Sequence, residues 1–306
     1  MRTLLLLMLS YTVLLSAQSP RDTLYFDATS GNYVIKYFVE DEDTLITTIF
    51  EPSTKVNPSI TTKVEHVGDT LLYRYAISNG ADSKQNLFAF EIEYQAEVID
   101  ASVNRWRSGK MFDGKVENNR WIQFEAGRWR WSGDQGLQPT WHKDGFALKS
   151  KSVPGIVKVY FQGNAGEFSA PFGGPSFELD QQIAQLQIFP ANRVIRKTVG
   201  PVLPPTPFVP LAFLDTLISY KHQAFDLGWI KNRGIIQSLN AKLENARAQL
   251  RRNNKTAARN ILQSFVNEVE ALWKEENQRR DPQGVQITSE AYALLKFNAE
   301  YLLSKL

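Results

Sequence analysis

The spacing of the hydrophobic residues changes once along the chain, and this change restricts the fold more than any other feature. From Thr23 to about Gly163, apolar and polar residues alternate in short runs, and a period of two is typical of β-strands. After Pro210, apolar residues recur at spacings of three and four, as on one face of a helix. The sequence therefore predicts a multidomain chain, β then α: an antiparallel β-sandwich followed by a small antiparallel helical bundle.

One hairpin is predicted in detail within the β-rich part. Gly68-Asp69 lies between two alternating runs, 63–67 and 70–77, and is typical of a two-residue hairpin turn. The alternation places one set of residues on a single face of the second strand: Leu71, Tyr73, Tyr75 and Ile77.

Prolines mark the predicted boundary between the two parts. Five of them fall between residues 201 and 210, where they disfavour both a helix and a central strand. We expect a sandwich domain over 18–196, a proline-rich linker over 197–210 and a four-helix domain over 211–306. The segment 178–188 has no decisive pattern and is compatible with a last strand or a short helix.

Four apolar stripes predict the helices after the linker. Gly228 and Asn253-Asn254 are typical helix stops, and Thr288 is a typical N-cap. The stripes are Leu211, Leu214, Ile218 and Phe225; Ile235, Leu239, Leu243, Ala246 and Leu250; Ala258, Ile261, Phe265, Val269 and Leu272; Ala291, Leu294, Leu295, Asn298 and Leu302.

Part of this helical region resembles a known family. The residues that carry the resemblance are Gly234, Ser238-Leu239, Lys242-Leu243, Ala246, Leu250, Asn254, Ala257-Ala258, Asn260, Leu262, Phe265, Asn267 and Val269. They resemble the FIMAH domain, a helical module at the C-terminal ends of many secreted bacterial proteins, and the chain departs from it between Lys274 and Gln286. The resemblance implies an exported bacterial protein with an accessory module and no catalytic residues. The β-rich part looks like the immunoglobulin-like sandwiches of bacterial surface proteins.

The N-terminus predicts export. Arg2 precedes an apolar stretch from Leu4 to Leu15, and the small residues Ser16-Ala17 follow it, as in a signal peptide over residues 1–17. The apolar run is too short for a permanent membrane span, so we expect no transmembrane anchor after cleavage. The predicted location is the periplasm or the outside of the cell.

Composition excludes several classes of site. Without cysteine the chain has no disulfides, no thiolate nucleophile and no cysteine-ligated zinc. A net charge of +3 argues against a nucleic-acid partner. The three histidines, His66, His142 and His222, lack the paired spacing of a zinc site, so we expect no metal and no cofactor.

Tryptophan and arginine are concentrated in one stretch. The cluster contains Trp106, Trp121, Trp129, Trp131 and Trp141, interleaved with Arg105, Arg107, Arg120, Arg128 and Arg130. In a strand, Trp129 and Trp131 share one face, and Arg128 and Arg130 share the other. Exposed indoles are suited to stacking on sugar rings, whereas the alternative is that these tryptophans fill the core and the arginines are solvated. The candidate ligand-binding residues are Trp106, Trp129, Trp131, Trp141, Arg128 and Arg130.

Two further groups of charged residues have a functional and a plain interpretation. A glycosidase pair could come from Glu91, Glu93, Glu97 or Glu125, although Glu91 and Glu93 are more simply the wet face of a strand. Basic residues around the turn between the second and third predicted helices could meet an anionic envelope polymer or membrane surface, or be ordinary helix-end charges: Arg247, Arg251, Arg252, Lys255 and Arg259.

The sequence thus favours an exported, non-catalytic binding protein whose partner is a polysaccharide or an envelope protein. The alternatives are a hydrolase acting on an extracellular polymer and a purely structural cell-surface component.

Overall fold

A computed structural model describes residues 22–101, 106–111, 115–117, 120–122, 127–165, 174–187, 189–278 and 286–306. Antiparallel sheets make up most of the N-terminal part and helices make up the C-terminal part, as the periodicity predicts. The predicted signal peptide, 1–17, lies outside the described residues. Two compact units are present, the described residues of Met1–Pro52 and Ala165–Asn192 and those of Ser53–Asn164 and Arg193–Leu306.

The first unit is a three-stranded antiparallel sheet with one helix. The strands β1, β2 and β3 are adjacent in that order, and the helix α1 packs on one face; the bounds are Thr23–Asp27, Asn32–Val39, Thr44–Phe50 and, for α1, Phe177–Gln187. Ile35 and Tyr37 of β2 are buried in one cluster with Leu179 and Ile183 of α1. The ambiguous segment 178–188 is thus helical as far as Gln187, because its two buried residues are one helical turn apart.

The first unit corrects the prediction of one sandwich domain over 18–196. The buried residues of β2, β3 and α1 form a cluster of their own, separate from the larger core of the chain. A residue spacing of two predicts a strand but not which sheet the strand joins, and this information was missing from the sequence.

The second unit begins with a four-stranded and a five-stranded antiparallel sheet. The first has the order β4-β5-β12-β7 and the second β14-β13-β6-β11-β8, and β9 and β10 pair separately. Their bounds are Pro58–Val67 (β4), Thr70–Asn79 (β5), Leu87–Tyr94 (β6), Ile99–Ala101 (β7), Arg107–Met111 (β8), Lys115–Glu117 (β9), Arg120–Ile122 (β10), Gly127–Leu137 (β11), His142–Ser150 (β12), Val153–Gly163 (β13) and Val194–Val202 (β14).

Aromatic residues from both of these sheets share one core. Phe90 of β6 stacks on Trp131 of β11 with ring centroids 4.9 Å apart, and it meets Phe146 of β12 edge-on at 4.9 Å. The predicted hairpin is confirmed, since Val67 pairs with Thr70 across Gly68-Asp69. The four residues of β5 predicted to share one face are all buried, so this face is the inner one: Leu71, Tyr73, Tyr75 and Ile77.

Four helices follow where the apolar stripes predict them. They are α2 (Pro210–Asp226), α3 (Arg233–Arg251), α4 (Lys255–Gln278) and α5 (Ser289–Lys305). Gly228, with a φ of +72°, lies just beyond α2, and the side chain of Thr288 caps α5 by accepting a hydrogen bond from the N–H of Ala291. Both the predicted stop and the predicted cap are therefore confirmed.

The predicted linker over 197–210 is corrected in its first half. Residues up to Val202 form β14, which pairs with β13 along its whole length. The strand tolerates Pro201 because β14 is at the edge of its sheet, where a missing N–H costs no ladder hydrogen bond. Only residues 203–209 connect β14 with α2.

The helices and the two sheets also pack together, a point on which the sequence makes no prediction. The amide of Asn298 on α5 donates to the carbonyl oxygen of Pro154 at 2.7 Å, and the Glu290 carboxylate accepts from the N–H of Thr62 on β4. The side chains of Asn298, Glu290 and Thr62 are all buried, and these two hydrogen bonds satisfy polar groups that burial removes from water. Among the helices of the described ranges, none is both long and apolar enough to cross a membrane.

Candidate functional site

A cleft of about 570 Å³ lies beside the connection between β11 and β12. Its described lining residues are Trp106, Gly133, Gln135, Gly136, Leu137, Trp141, His142 and Lys143. Two of the predicted ligand-binding tryptophans, Trp106 and Trp141, therefore line one cleft. Each tryptophan directly precedes a strand: Trp106 precedes β8, and Trp141 precedes β12.

The turn that carries Trp141 is fixed by backbone hydrogen bonds. The N–H of Trp141 donates to the carbonyl of Gln138 at 3.1 Å, and its own carbonyl accepts from the N–H of Asn79 at 3.0 Å. The carbonyl of Asn79 accepts in turn from the N–H of Thr140 at 2.8 Å. Trp141 is 55% exposed despite this anchored backbone, so its indole is presented to solvent at low entropic cost.

The indole of Trp106 packs against core residues. Its ring meets Phe146 edge-on at 5.2 Å and lies 6.3 Å from Phe90, and both phenylalanines are fully buried. Gly133 on β11 leaves the space that the indole occupies, because a Cβ at this position would be 2.6 Å from Cε2 of Trp106. The half-buried indole thus forms a fixed wall of the cleft.

Polar groups complete the lining. Gln135 offers a side-chain amide, and its backbone carbonyl accepts from Asn86 at 3.1 Å. His142 and Lys143 begin β12 and add an imidazole and an ammonium group. The cleft therefore combines two aromatic surfaces with several hydrogen-bonding groups, which is the usual composition of a small-ligand site.

The structure assigns Trp131 to the core. Its side chain is fully buried, stacked on Phe90 and in contact with Phe146 and Tyr75. The core interpretation of this residue is therefore confirmed, and the binding interpretation is wrong for it. The side chains of Trp121 and Trp129 lie outside the described residues.

Arg128 and Arg130 face away from Trp131, as the alternation predicts, but they are not solvated. Nε of Arg128 is 2.7 Å from the Glu91 carboxylate, and Arg130 binds the same carboxylate and donates to Gln162 at 2.9 Å. Glu91 is only 2% exposed, so the predicted wet face is corrected at this position. Burial also lowers the pKa of the nearby Arg193 to about 10, an effect that the Glu91 carboxylate opposes.

Two of the four carboxylates considered for glycoside hydrolysis, Glu91 and Glu93, are bound to other groups of the protein. Glu93 accepts hydrogen bonds from the Tyr160 hydroxyl and the N–H of Lys158, and Glu97 is exposed. The side chain of Glu125 lies outside the described residues. Among the described residues that line the cleft, none is Asp or Glu.

The histidines fall at three different places. His142 lines the cleft, His66 lies on β4 with Nε2 3.6 Å from Glu300, and His222 is on α2. Burial and the adjacent Lys221 lower the pKa of His222. Within the ranges that the structure describes, no three His, Asp or Glu side chains are grouped as metal ligands.

Comparisons with known proteins add no family. No protein-family model matches the chain, and no curated protein sequence matches it. Among the solved structures that match is that of Astrotactin-2, "a conserved vertebrate-specific and perforin-like membrane protein involved in neuronal development", at 9% identity with a TM-score of 0.15. The match covers 84% of this chain and 37% of that one, and a likeness this weak carries no argument about either fold or function.

Proposed function

We propose that the protein is an exported, non-catalytic binding protein that recognises a polysaccharide through the cleft between Trp106 and Trp141. One observation carries the proposal: a rigid, half-buried indole and a 55% exposed indole line the same cleft. The C–H faces of a sugar ring are apolar and pack on such aromatic surfaces, while its hydroxyls need hydrogen-bonding groups around them. Gln135, His142 and Lys143 provide these groups.

The composition of the cleft supports binding rather than hydrolysis. Glycoside hydrolysis uses two carboxyl groups on either side of the scissile bond. The described lining has none, and the Glu91 carboxylate is neutralised by two arginines on the opposite face of β11. The described lining therefore supports a site that holds a ligand and releases it unchanged.

The proposed architecture is an immunoglobulin-like sandwich with a FIMAH-like helical bundle. The shared aromatic core of the two sheets supports the sandwich, and the match between four apolar stripes and α2–α5 supports the bundle. The predicted signal peptide over 1–17 accounts for export to the periplasm or the outside of the cell. Extracellular and envelope polysaccharides are the ligands accessible there.

A retardation experiment tests this function. The chain from Gln18 onward is run in native gels containing a panel of plant, algal and bacterial polysaccharides, beside its Trp141→Ala and Trp273→Ala variants. Loss of an exposed stacking indole is expected to weaken binding about tenfold or more, whereas Trp273, on α4 and outside the cleft, is the matched control. The proposal is refuted if no polysaccharide retards the chain or if Trp141→Ala binds as the wild type does.

A further inference from the structure

The strand β4 has a free edge. It is the outermost strand of the order β4-β5-β12-β7, and within the described ranges only β5 pairs with it. Since Val67 and Thr70 flank a two-residue turn, they form a hydrogen-bonded pair, and such pairs alternate along an antiparallel ladder. The backbone groups of Thr62, Val64 and His66 therefore point away from β5.

The hydrogen bond of Thr62 confirms that these backbone groups point away from β5. The N–H of Thr62 donates to the Glu290 carboxylate of α5, so the helix satisfies the edge at this residue. Val64 and His66 follow at the next two outward positions, and their N–H and C=O groups have no hydrogen-bond partner within the described part of the chain. An unpaired row of this kind accepts an added strand.

A groove of about 380 Å³ runs beside this stretch of β4. Trp273 of α4 and Tyr292 of α5 stack at 5.0 Å along its helical side. Phe297, only 6% exposed, contacts His66 edge-on at 5.0 Å. The groove therefore places an apolar aromatic surface next to unpaired backbone groups.

Some of the charged side chains at the groove form ion pairs and one does not. Glu65 is bound to Arg74 at 2.8 Å, and Lys296 is held by Glu300 and by Glu270 at 3.3 Å. Lys63 is exposed on the outer face of β4 and has no carboxylate partner in the described ranges. Among the described residues that line the groove, Lys63 is thus the one cation without a carboxylate partner, and the groove complements an acidic ligand.

We propose that this groove binds an extended peptide, which adds as a strand to the free edge of β4 at Val64 and His66. The strand places one apolar or aromatic side chain against Trp273, Tyr292 and Phe297. Its neighbours point to the opposite face, where an acidic residue meets Lys63, because side chains alternate along a strand. A polypeptide satisfies the backbone groups and the aromatic groove at once, and this distinguishes it from a sugar.

The test uses a fluorescein-labelled nine-residue threonine peptide with Asp-Trp-Asp at its centre, titrated into the chain from Gln18 onward by fluorescence anisotropy. His66→Pro removes one outward N–H and leaves the β4–β5 ladder intact, whereas His66→Ala removes the imidazole and keeps the N–H. We expect saturable binding that His66→Pro weakens about tenfold or more and that His66→Ala largely keeps.

A second arm is independent of the folding of the proline variant. Methylation of the peptide nitrogens that face β4 removes their donors, and we expect it to abolish binding to the wild type. Lys63→Glu is expected to weaken binding by repelling the aspartates. No saturable binding at millimolar peptide, equal binding of the methylated peptide, or loss of binding in His66→Ala matching that in a folded His66→Pro would each overturn the proposal.

Discussion

Lys221 on α2 is a fully buried cation in the helical part of the protein. Its ammonium group donates to the side-chain oxygen of Asn240 on α3, and burial lowers its pKa to about 8, while Glu244 opposes the change. A lysine in the unfolded chain titrates near 10.5. Between these pH values the unfolded state binds more protons than the folded state.

Lys221→Met is therefore expected to stabilise the protein by about 1–2 kcal/mol at pH 7, because the cost of burying a charge exceeds the value of one hydrogen bond. The penalty in the wild type is fully present below pH 8 and is relieved as the pH rises towards 10.5. Urea unfolding at pH 7 and pH 10 measures both effects.

The difference in stability between the wild type and Lys221→Met reports the ionisation of Lys221 alone. Burial raises the pKa of Tyr73 and Tyr75, so both proteins lose stability alike as the pH rises above 10. The advantage of the variant should shrink from pH 7 to pH 10. An advantage that is constant with pH, or a variant less stable at pH 7, would contradict the assignment.

Glu91 differs from Lys221 because its buried charge is paired with two cations, Arg128 and Arg130. Glu91→Gln leaves the buried Arg128 and the half-buried Arg130 without their carboxylate, and we expect a loss of about 3 kcal/mol in the free energy of unfolding. Glu65→Gln is the matched control, since it breaks an exposed pair with Arg74 and should cost less than about 1 kcal/mol. Equal losses in urea unfolding would show that the arginines are not held by Glu91.

At the scale of elements, β11 links the core to the cleft. Gly133→Ala would place a Cβ 2.6 Å from the Trp106 indole and displace this wall of the cleft. We expect weaker polysaccharide retardation together with a loss of about 1–3 kcal/mol in stability.

Gly68→Ala separates stability from binding in that experiment. Gly68 has a φ of +64° and open space around its Cα, so alanine there should cost about 1 kcal/mol through backbone strain alone. Binding should be unchanged in Gly68→Ala. If both variants bind equally well, Trp106 is not part of the site.

The sequence predicted those local features well that depend on residues close together in the chain. The Gly68-Asp69 turn, the two faces of β11 and the cap at Thr288 depend on residues within a few positions of each other. The linker prediction failed because the pairing of β14 with β13 joins residues about forty positions apart along the sequence, and periodicity contains no information about such pairing.

The candidate site was predicted only in part for the same reason. The sequence singled out Trp106 and Trp141, but it grouped them with Trp131, which is in the core. Alternation shows that two residues share a face of a strand and not whether that face is buried. Gly133 and Gln135 were not predicted, since a glycine that makes room for a distant indole has no local signal.

For the molecule as a whole, the helices depend on the sheets that they cover. Residues of β4, β13 and α5 belong to one hydrophobic core, and Glu290 and Asn298 are buried with partners on β4 and β13. The fragment 211–306, expressed alone, is expected to lack a cooperative thermal transition by circular dichroism, because this apolar surface would be exposed. A sharp transition of the isolated fragment would show an autonomous module, as the FIMAH resemblance implies.

The central claim is that Trp141 contacts the bound polysaccharide. The most direct measurement is a tryptophan fluorescence titration of the chain from Gln18 onward and of its Trp141→Phe variant, with the polysaccharide that retards the wild type most strongly. We predict that the ligand shifts the wild-type emission and protects it from acrylamide, and that both changes are much smaller in Trp141→Phe, where Trp106 is the remaining indole of the described cleft lining. Identical changes in the two proteins, or no change in either, would contradict the account.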